Sequence, residues 1–366
     1  MKKILLSLPL AAALNAHAQS SVTLYGIVED GFDFVSNVQG SHLAQLASGV
    51  TAGSRWGVRG SEDLGGGLSA IFRLESGFDI NSGRLGSGLA FSRNAYVGLS
   101  DTRLGTLTLG RQWDSIVDYV EPFTLNGNIG GYYFAHPNDM DNTDNGFPIA
   151  NAVKYRSPTI AGFTFGGLYS LGGIAGQFSN NAVFSAGASY AAGPIGAGIG
   201  YLRINNPGVS TQGYQNYPGF TNAIYGDYLN AARAQKVFGV GASYQVLPAV
   251  KLLVDFTNTI FQQGSAGHDA TFQNYELSTI VTPRPAWTLS AGYTYTTGRD
   301  HATDAAPKYS QFNLSVEYAL SKRTSVYAMG AYQKAAGDAP VAQIAGFNPS
   351  SDQKQAVGRV GVRHVF

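Results

Sequence analysis

The sequence predicts an all-β fold, a 16-stranded antiparallel transmembrane β-barrel, and three observations carry that expectation. Apolar and polar residues alternate with a period of two along most of the chain, while helical periodicity is nearly absent. Sixteen such segments are joined by connections that run long, short, long, short. The composition is rich in Gly (47), Tyr (21) and Phe (20), and charged residues make up 13%, about half the roughly 25% of an ordinary globular domain. Abundant glycine alone also fits disorder. Aromatic residues at 12% do not, because disordered chains lack the aromatic and β-branched side chains that bury surface.

The first residues stand apart from the barrel. Met1-Lys2-Lys3 is a positive start, Ile4 to Leu14 a short apolar run, and Ala16-His17-Ala18 a small-x-small cleavage site. This is the pattern of a secretory signal peptide over residues 1–18, cut before Gln19, with residues 19–366 as one barrel domain. The apolar run is too short to span a bilayer as a helix, which takes about 20 residues. Removing 18 of 366 residues leaves 348, and losing Lys2 and Lys3 turns the formal charge from +1 to −1. A near-neutral chain is a poor partner for nucleic acid. There is no cysteine, so an exported chain of this length must be held without disulfides. No later stretch has 18 consecutive apolar residues.

In chain order, strands are expected to start near Val22, Thr51, Leu68, Ala90, Leu104, Ala150, Ile160, Ala182, Pro194, Lys236, Ala249, Thr271, Ala286, Lys308, Arg323 and Asp352. In the second, Arg55 and Arg59 lie opposite Trp56 and Val58. In the third, Arg73 and Glu75 alternate with Phe72 and Leu74; in the fourth, Arg93 shares its face with Ala95. Gly196-Ala197-Gly198-Ile199-Gly200 reads as strand, since no helix follows and a third glycine at dinucleotide-loop spacing is missing. From Trp287, one face carries Trp, Leu, Ala, Tyr and Tyr, the other Thr, Ser, Gly and Thr. Phe312, Leu314, Val316, Tyr318 and Leu320 oppose Gln311, Asn313, Ser315 and Glu317. The last strand sets Val360, Val362 and Phe366 against Arg359, Gly361 and Arg363.

Alternation suits a soluble sandwich as well as a membrane barrel, and the connections separate the two. Compact turns fall at Glu62 to Gly67, Asp101 to Arg103, Ser157 to Thr159, Gly193-Pro194, Leu247-Pro248, Pro283 to Pro285 and Ser321-Lys322. Between them come long segments, among them Trp113 to Phe147, Ile204 to Gln235 and Lys334 to Ser351. Short turns on one side and longer loops on the other are the habit of transmembrane barrels. An open sheet of sixteen strands is too wide to stand alone, and closure removes the edges that lipid forbids. About sixteen strands leave an aqueous lumen.

Several stretches resemble a known family: Val22-Thr23-Leu24-Tyr25-Gly26, Ser54 to Gly65 (SRWGVRGSEDLG), Phe91 to Leu99 (FSRNAYVGL), Leu104 to Gln112 (LGTLTLGRQ), Val153 to Pro158 (VKYRSP) and the terminal Phe366. Together they are similar to the general trimeric porins of Gram-negative bacteria, of the betaproteobacterial type. The resemblance covers the whole mature chain and is densest in the first 160 residues. It implies an outer-membrane homotrimer of 16-stranded barrels, surrounded by lipids including lipopolysaccharide. It also implies a third extracellular loop that folds inward as a constriction, and passive diffusion of small hydrophilic solutes and ions. In enterobacterial members a basic residue follows the first Tyr-Gly by two positions. Here Gly26 is followed by Ile27 and Val28, which implies a less basic constriction.

The charges then suggest a site. Between Gln112 and Val153 there is no Lys or Arg, but there are six acids: Asp114, Asp118, Glu121, Asp139, Asp141 and Asp144. Seven arginines lie between Arg55 and Arg111. An Arg facing lipid at mid-bilayer costs about 2–4 kcal/mol, so strand arginines are expected to face the lumen. The expected pore constriction sets Arg55, Arg59, Arg73 and Arg93 against Asp114, Asp118 and Glu121, giving a transverse field with a slight lean to anions. For Arg93 an ordinary interior salt bridge is the plainer alternative. For Asp139, Asp141 and Asp144 a solvated stretch of loop serves as well. Trp287, Tyr293, Tyr295, Tyr318 and Phe366 suit interfacial girdles.

Nothing points to catalysis, a cofactor or a metal. Thiol chemistry is excluded by the lack of cysteine. His17, His42, His136, His268, His301 and His364 show no zinc-motif spacing, and loop histidines are normally solvated. A substrate-specific channel of the same fold remains open, as does, at lower weight, an adhesin or receptor using Ile204 to Gln235. A hydrolase barrel would need a Ser, a His and an acid on one face, which no strand offers.

Overall fold

The computed structural model describes residues 21–208, 221–263 and 267–366. The expected signal segment lies outside them, as does part of the segment from Ile204 to Gln235. The described residues form one antiparallel sheet of seventeen strands. The first six are β1 (Ser21–Val38), β2 (Ser41–Ser48), β3 (Arg55–Gly65), β4 (Leu68–Gly77), β5 (Asn94–Asp101) and β6 (Gly105–Gln112). The next six are β7 (Ile149–Arg156), β8 (Phe163–Ser170), β9 (Val183–Ala192), β10 (Ile195–Asn205), β11 (Ala234–Leu247) and β12 (Val250–Gln262). The last five are β13 (Ala270–Arg284), β14 (Trp287–Asp300), β15 (Pro307–Ala319), β16 (Thr324–Gly337) and β17 (Lys354–Val365). Each strand follows its predecessor around the wall. The sheet closes where β1 pairs β17, from Ile27↔Val365 to Val35↔Val357. Phe366 seals the join by exchanging two backbone hydrogen bonds with Gly26, each 3.0 Å.

Seventeen strands make sixteen staves. The upper half of β1 pairs β2, from Asp30↔Ser48 to Val38↔Ser41, and its lower half pairs β3, from Ser21↔Ser61 to Ile27↔Arg55. β2 and β3 therefore continue one another, parted by a six-residue excursion over residues 49–54. The first long connection expected from the sequence is thus mostly strand. It turns at Gln39 (φ 54°) and Gly40 (φ 93°), two positive φ values in succession, as a tight hairpin requires. Gln39 is not the Asn, Asp or Gly that usually announces such a turn, which is why the hairpin escapes a reading of turn residues. All sixteen expected starts lie within four residues of an observed strand start.

The faces are inverted relative to a soluble protein. Val22, Leu24, Val97 and Leu314 are each 58–67% exposed on the outside. Thr257, Asn274, Gln311, Asn313 and Gln333 are buried on the inside. Their burial comes from chain packed within the lumen. The segment between β6 and β7 folds inward and places Ile116, Val120 and Met140 in one apolar cluster with Leu202, Val237 and Phe261 of the wall. A second cluster joins Leu125, Tyr133 and Phe134 to Val35, Ile344, Phe347 and Val357.

Candidate pore constriction

The inward segment begins at a helix cap. Asp114 Oδ1 accepts from the Ile116 amide at 2.7 Å and starts α1 (Ser115–Tyr119). Thr124 caps α2 (Leu125–Asn128) in the same way through the Gly127 amide. The segment can lie this close to the wall because the wall has been shaved. A Cβ on Gly198 of β10 would stand 1.8 Å from the Tyr119 carbonyl oxygen, and one on Gly241 of β11 2.5 Å from Phe123 Cβ. Ile199, between two such glycines, points outward and is 45% exposed. The glycine run that reads as strand is therefore a docking face.

Further along, Tyr133 donates to Asp33 at 2.6 Å, and Gln311 Nε2 donates to the Tyr133 carbonyl at 3.1 Å. Arg359 holds this end of the lumen, reaching Glu29 at 2.8 Å and Asp33 at 2.7 Å with all three side chains buried. Beside it, residues 49–54 project into the lumen: the Gly49 amide donates to the Glu29 carbonyl at 2.9 Å, and the Tyr132 amide donates to the Val50 carbonyl at 3.3 Å. Loop and excursion meet beside β1.

The basic wall lies on β3 to β7. Its hub is Glu75, 1% exposed. One carboxylate oxygen takes Arg73 at 2.5 Å and the Tyr25 hydroxyl at 2.8 Å. The other takes Arg93 Nε at 2.9 Å and Asn94 at 3.2 Å. Arg73 and Arg59 both lie over the Tyr25 ring, at 5.3 and 5.5 Å. Arg93 spans the gap: it also donates to Asn145 Oδ1 at 3.2 Å and lies 5.1 Å over Trp113. Asn145 in turn donates to Glu121 at 2.7 Å. Arg93 is thus both a salt bridge and part of the link between wall and loop. Among the described residues, no ion pair is made by Arg55, Arg59 or Arg156. Arg59 and Arg156 are exposed, and Arg55 is half-buried.

The acids are placed differently from one another. Asp114 is fully buried. Besides its cap it accepts from Asn142 at 2.5 Å, and burial pushes its carboxyl up to about 6. Asp118 is tied to Lys154 of β7 at 2.5 Å. Glu121 borders a cavity of about 310 Å³ together with Arg55, Arg93, Asp144 and residues 49–53. Burial, reinforced by Asp144, holds Glu121 well above the usual carboxylate range. Asp139 and Asp141 are buried, not solvated, because the segment folds under itself against β12 and β13.

His136 is buried there too, against the expectation of a solvated loop histidine. Its Nδ1 lies 2.6 Å from Asp141, with Asp255 and Glu276 beyond the opposite ring nitrogen. Lys154 and Arg156, unassigned by the sequence reading, face the lumen, while Val153 and Tyr155 alternate with them outside. That alternation is visible in the sequence and was the missing signal.

The comparisons agree with this architecture. A family model described as Gram-negative porin matches residues 5–338. An outer membrane porin protein of Bordetella pertussis is 30% identical over the full length of both chains. The structure of an anion-selective porin from Comamonas acidovorans superposes with a TM-score of 0.77 at 27% identity, covering 95% of this chain and 100% of that one. A Vibrio cholerae outer membrane protein in a trimer form shares the fold at 17% identity, with a TM-score of 0.69 over 95% of this chain and 99% of its own.

Proposed function

Since the chain belongs to the Gram-negative porin family, an outer-membrane channel and not an enzyme, we propose that it admits small hydrophilic solutes by passive diffusion and prefers anions. On this reading the chain loses residues 1–18 on export, assembles as a homotrimer among outer-membrane lipids including lipopolysaccharide, and conducts through a slit between the arginine wall and the inward loop. One observation carries the anion preference. The wall keeps Arg55, Arg59 and Arg156 without ion-pair partners among the described residues. The loop acids are spent otherwise: Asp114 on a cap, Asp118 on Lys154, and Glu121 on Asn145 in a buried setting that disfavours its charge. A pore lined by uncompensated guanidinium groups concentrates anions and repels cations.

The anion selectivity named for the Comamonas acidovorans structure points the same way. The test is the zero-current potential of single channels in planar bilayers under a KCl gradient. The expected sign is that of chloride preference, with openings in groups of three. Replacing Arg55, Arg59 and Arg156 by Glu should invert it. Cation preference in the unaltered protein would refute the reading.

A further inference from the structure

We propose that His136, Asp255 and Glu276 form a binding site for one divalent ion of the zinc type, which fastens the inward loop to the barrel wall. Asp255 on β12 and Glu276 on β13 are directly opposite partners in the strand register. Like charges so placed repel, and here both side chains are fully shielded from solvent. Burying two carboxylates side by side is costly unless a cation lies between them. Among the described residues, Asp255 Oδ1 and His136 Nε2 meet only in the ion-pair contact between them at 3.3 Å, and Asp255 Oδ2 has no hydrogen-bond partner. Three buried donor atoms thus converge with their lone pairs uncommitted or shared.

The ring is oriented for metal. His136 Nδ1 lies 2.6 Å from Asp141 Oδ2, and Asp141 is itself fixed by Thr143 at 2.9 Å and Asn274 at 3.1 Å. A carboxylate behind Nδ1 sets the proton there and turns the Nε2 lone pair forward, the arrangement found behind histidine ligands. Glu276 is held in place through its other oxygen, by the Leu125 amide at 2.6 Å and Ser278 at 2.9 Å. Its Oε2 accepts from Thr294 at 3.2 Å. Nε2 lies 3.3 Å from Asp255 Oδ1 and 3.7 Å from Glu276 Oε2, and the three atoms fall within 4.8 Å of one another. A tetrahedral ion with bonds of about 2.0–2.2 Å spaces its ligand atoms roughly 3.3–3.6 Å apart. An imidazole with two carboxylates suits zinc and its neighbours better than the all-oxygen preferences of calcium or magnesium.

The site does not depend on which solutes the channel passes. The test uses the mature protein extracted in detergent, stripped with chelator, and shown to be folded by heat-modifiable migration in gels. Zn²⁺ alone is then added, and bound metal is measured after gel filtration. One equivalent per chain is expected, and Co²⁺ in its place should give the visible absorption of a mixed nitrogen and oxygen site. Glu276→Gln, which keeps the shape, and Asp141→Asn, which frees the ring, should each weaken Zn²⁺ binding roughly 10- to 100-fold. A folded wild-type chain that takes up no Zn²⁺ would overturn the proposal, the ring then holding a proton. Undiminished uptake by folded Glu276→Gln would overturn it too. Should that variant not fold, the wild-type Co²⁺ spectrum decides, and a colourless complex counts against the site.

Discussion

At the residue scale the proposed constriction is decided by how each charge is used. Four of the seven arginines and three of the six acids were read from the sequence as two opposed groups, and strand periodicity assigned Arg55, Arg59 and Arg73 to the lumen face. What periodicity cannot show is pairing inside a folded loop. Asp114 and Glu121 look equivalent in the sequence, yet one caps a helix and the other borders the cavity. Glu75 gathers Arg73, Arg93 and Tyr25. Glu75→Gln should therefore raise chloride preference while destabilising the barrel by about 2 kcal/mol, the range for hydrogen bonds to charged groups. Reversal potentials and denaturant midpoints measure the two effects separately.

Glu121 adds a pH dependence. Burial raises its folded pKa, so it is neutral at low pH and gains charge as pH rises through that value. Chloride preference should fall with rising pH, and the same carboxyl contributes stability that is fully present below the ordinary carboxylate pKa and is lost as pH rises from there through its raised folded value. Glu121→Gln should flatten the selectivity profile. An unchanged slope in that variant would remove Glu121 from the slit.

Elements were legible where side chains repeat and obscure where backbone approach is the cause. Strand starts followed from alternation. The hairpin at Gln39-Gly40 did not, because its turn residue is unusual. The glycines of β10 were read as strand but not as a docking face, and those of β11 were not singled out, since their reason lies in Tyr119 and Phe123, some 75 to 120 residues away in sequence. Burial of His136 was hidden for the same reason: its partners Asp255 and Glu276 come from distant strands. Gly198→Val tests the docking face. The new side chain would meet the Tyr119 carbonyl, and overpacking of this kind costs about 1–3 kcal/mol. With α1 displaced inward or released, single-channel conductance should change and its noise rise, while the strand content seen by circular dichroism stays the same.

Across the whole molecule, the outside is apolar because lipid and not water surrounds it. Trp287 and Tyr318, whose rings are 4.7 Å apart, sit at the turn end of β14 and β15. Tyr293 finds a polar partner higher up, in Ser310 at 3.2 Å. From Trp287 to Tyr295 the strand rises about 27 Å, or roughly 21 Å along the axis at a tilt near 40°. That height fits an apolar band of about 25 Å. Trp287, Tyr318 and Phe366 thus mark one rim, and Tyr293 and Tyr295 approach the other. The closed sheet, the band and the polar lumen are one consequence of a period-two pattern turned inside out.

One face of each strand meets the permeating water and the other meets lipid, and the natural lack of cysteine makes this directly measurable. Single cysteines at Arg59 and at the adjacent Val58 would be exposed, in reconstituted channels, to a membrane-impermeant charged thiol reagent. Arg59→Cys should be modified rapidly with a stepwise drop in current, and Val58→Cys should show neither. Equal reactivity at both positions, or current that ignores modification at Arg59, would contradict it.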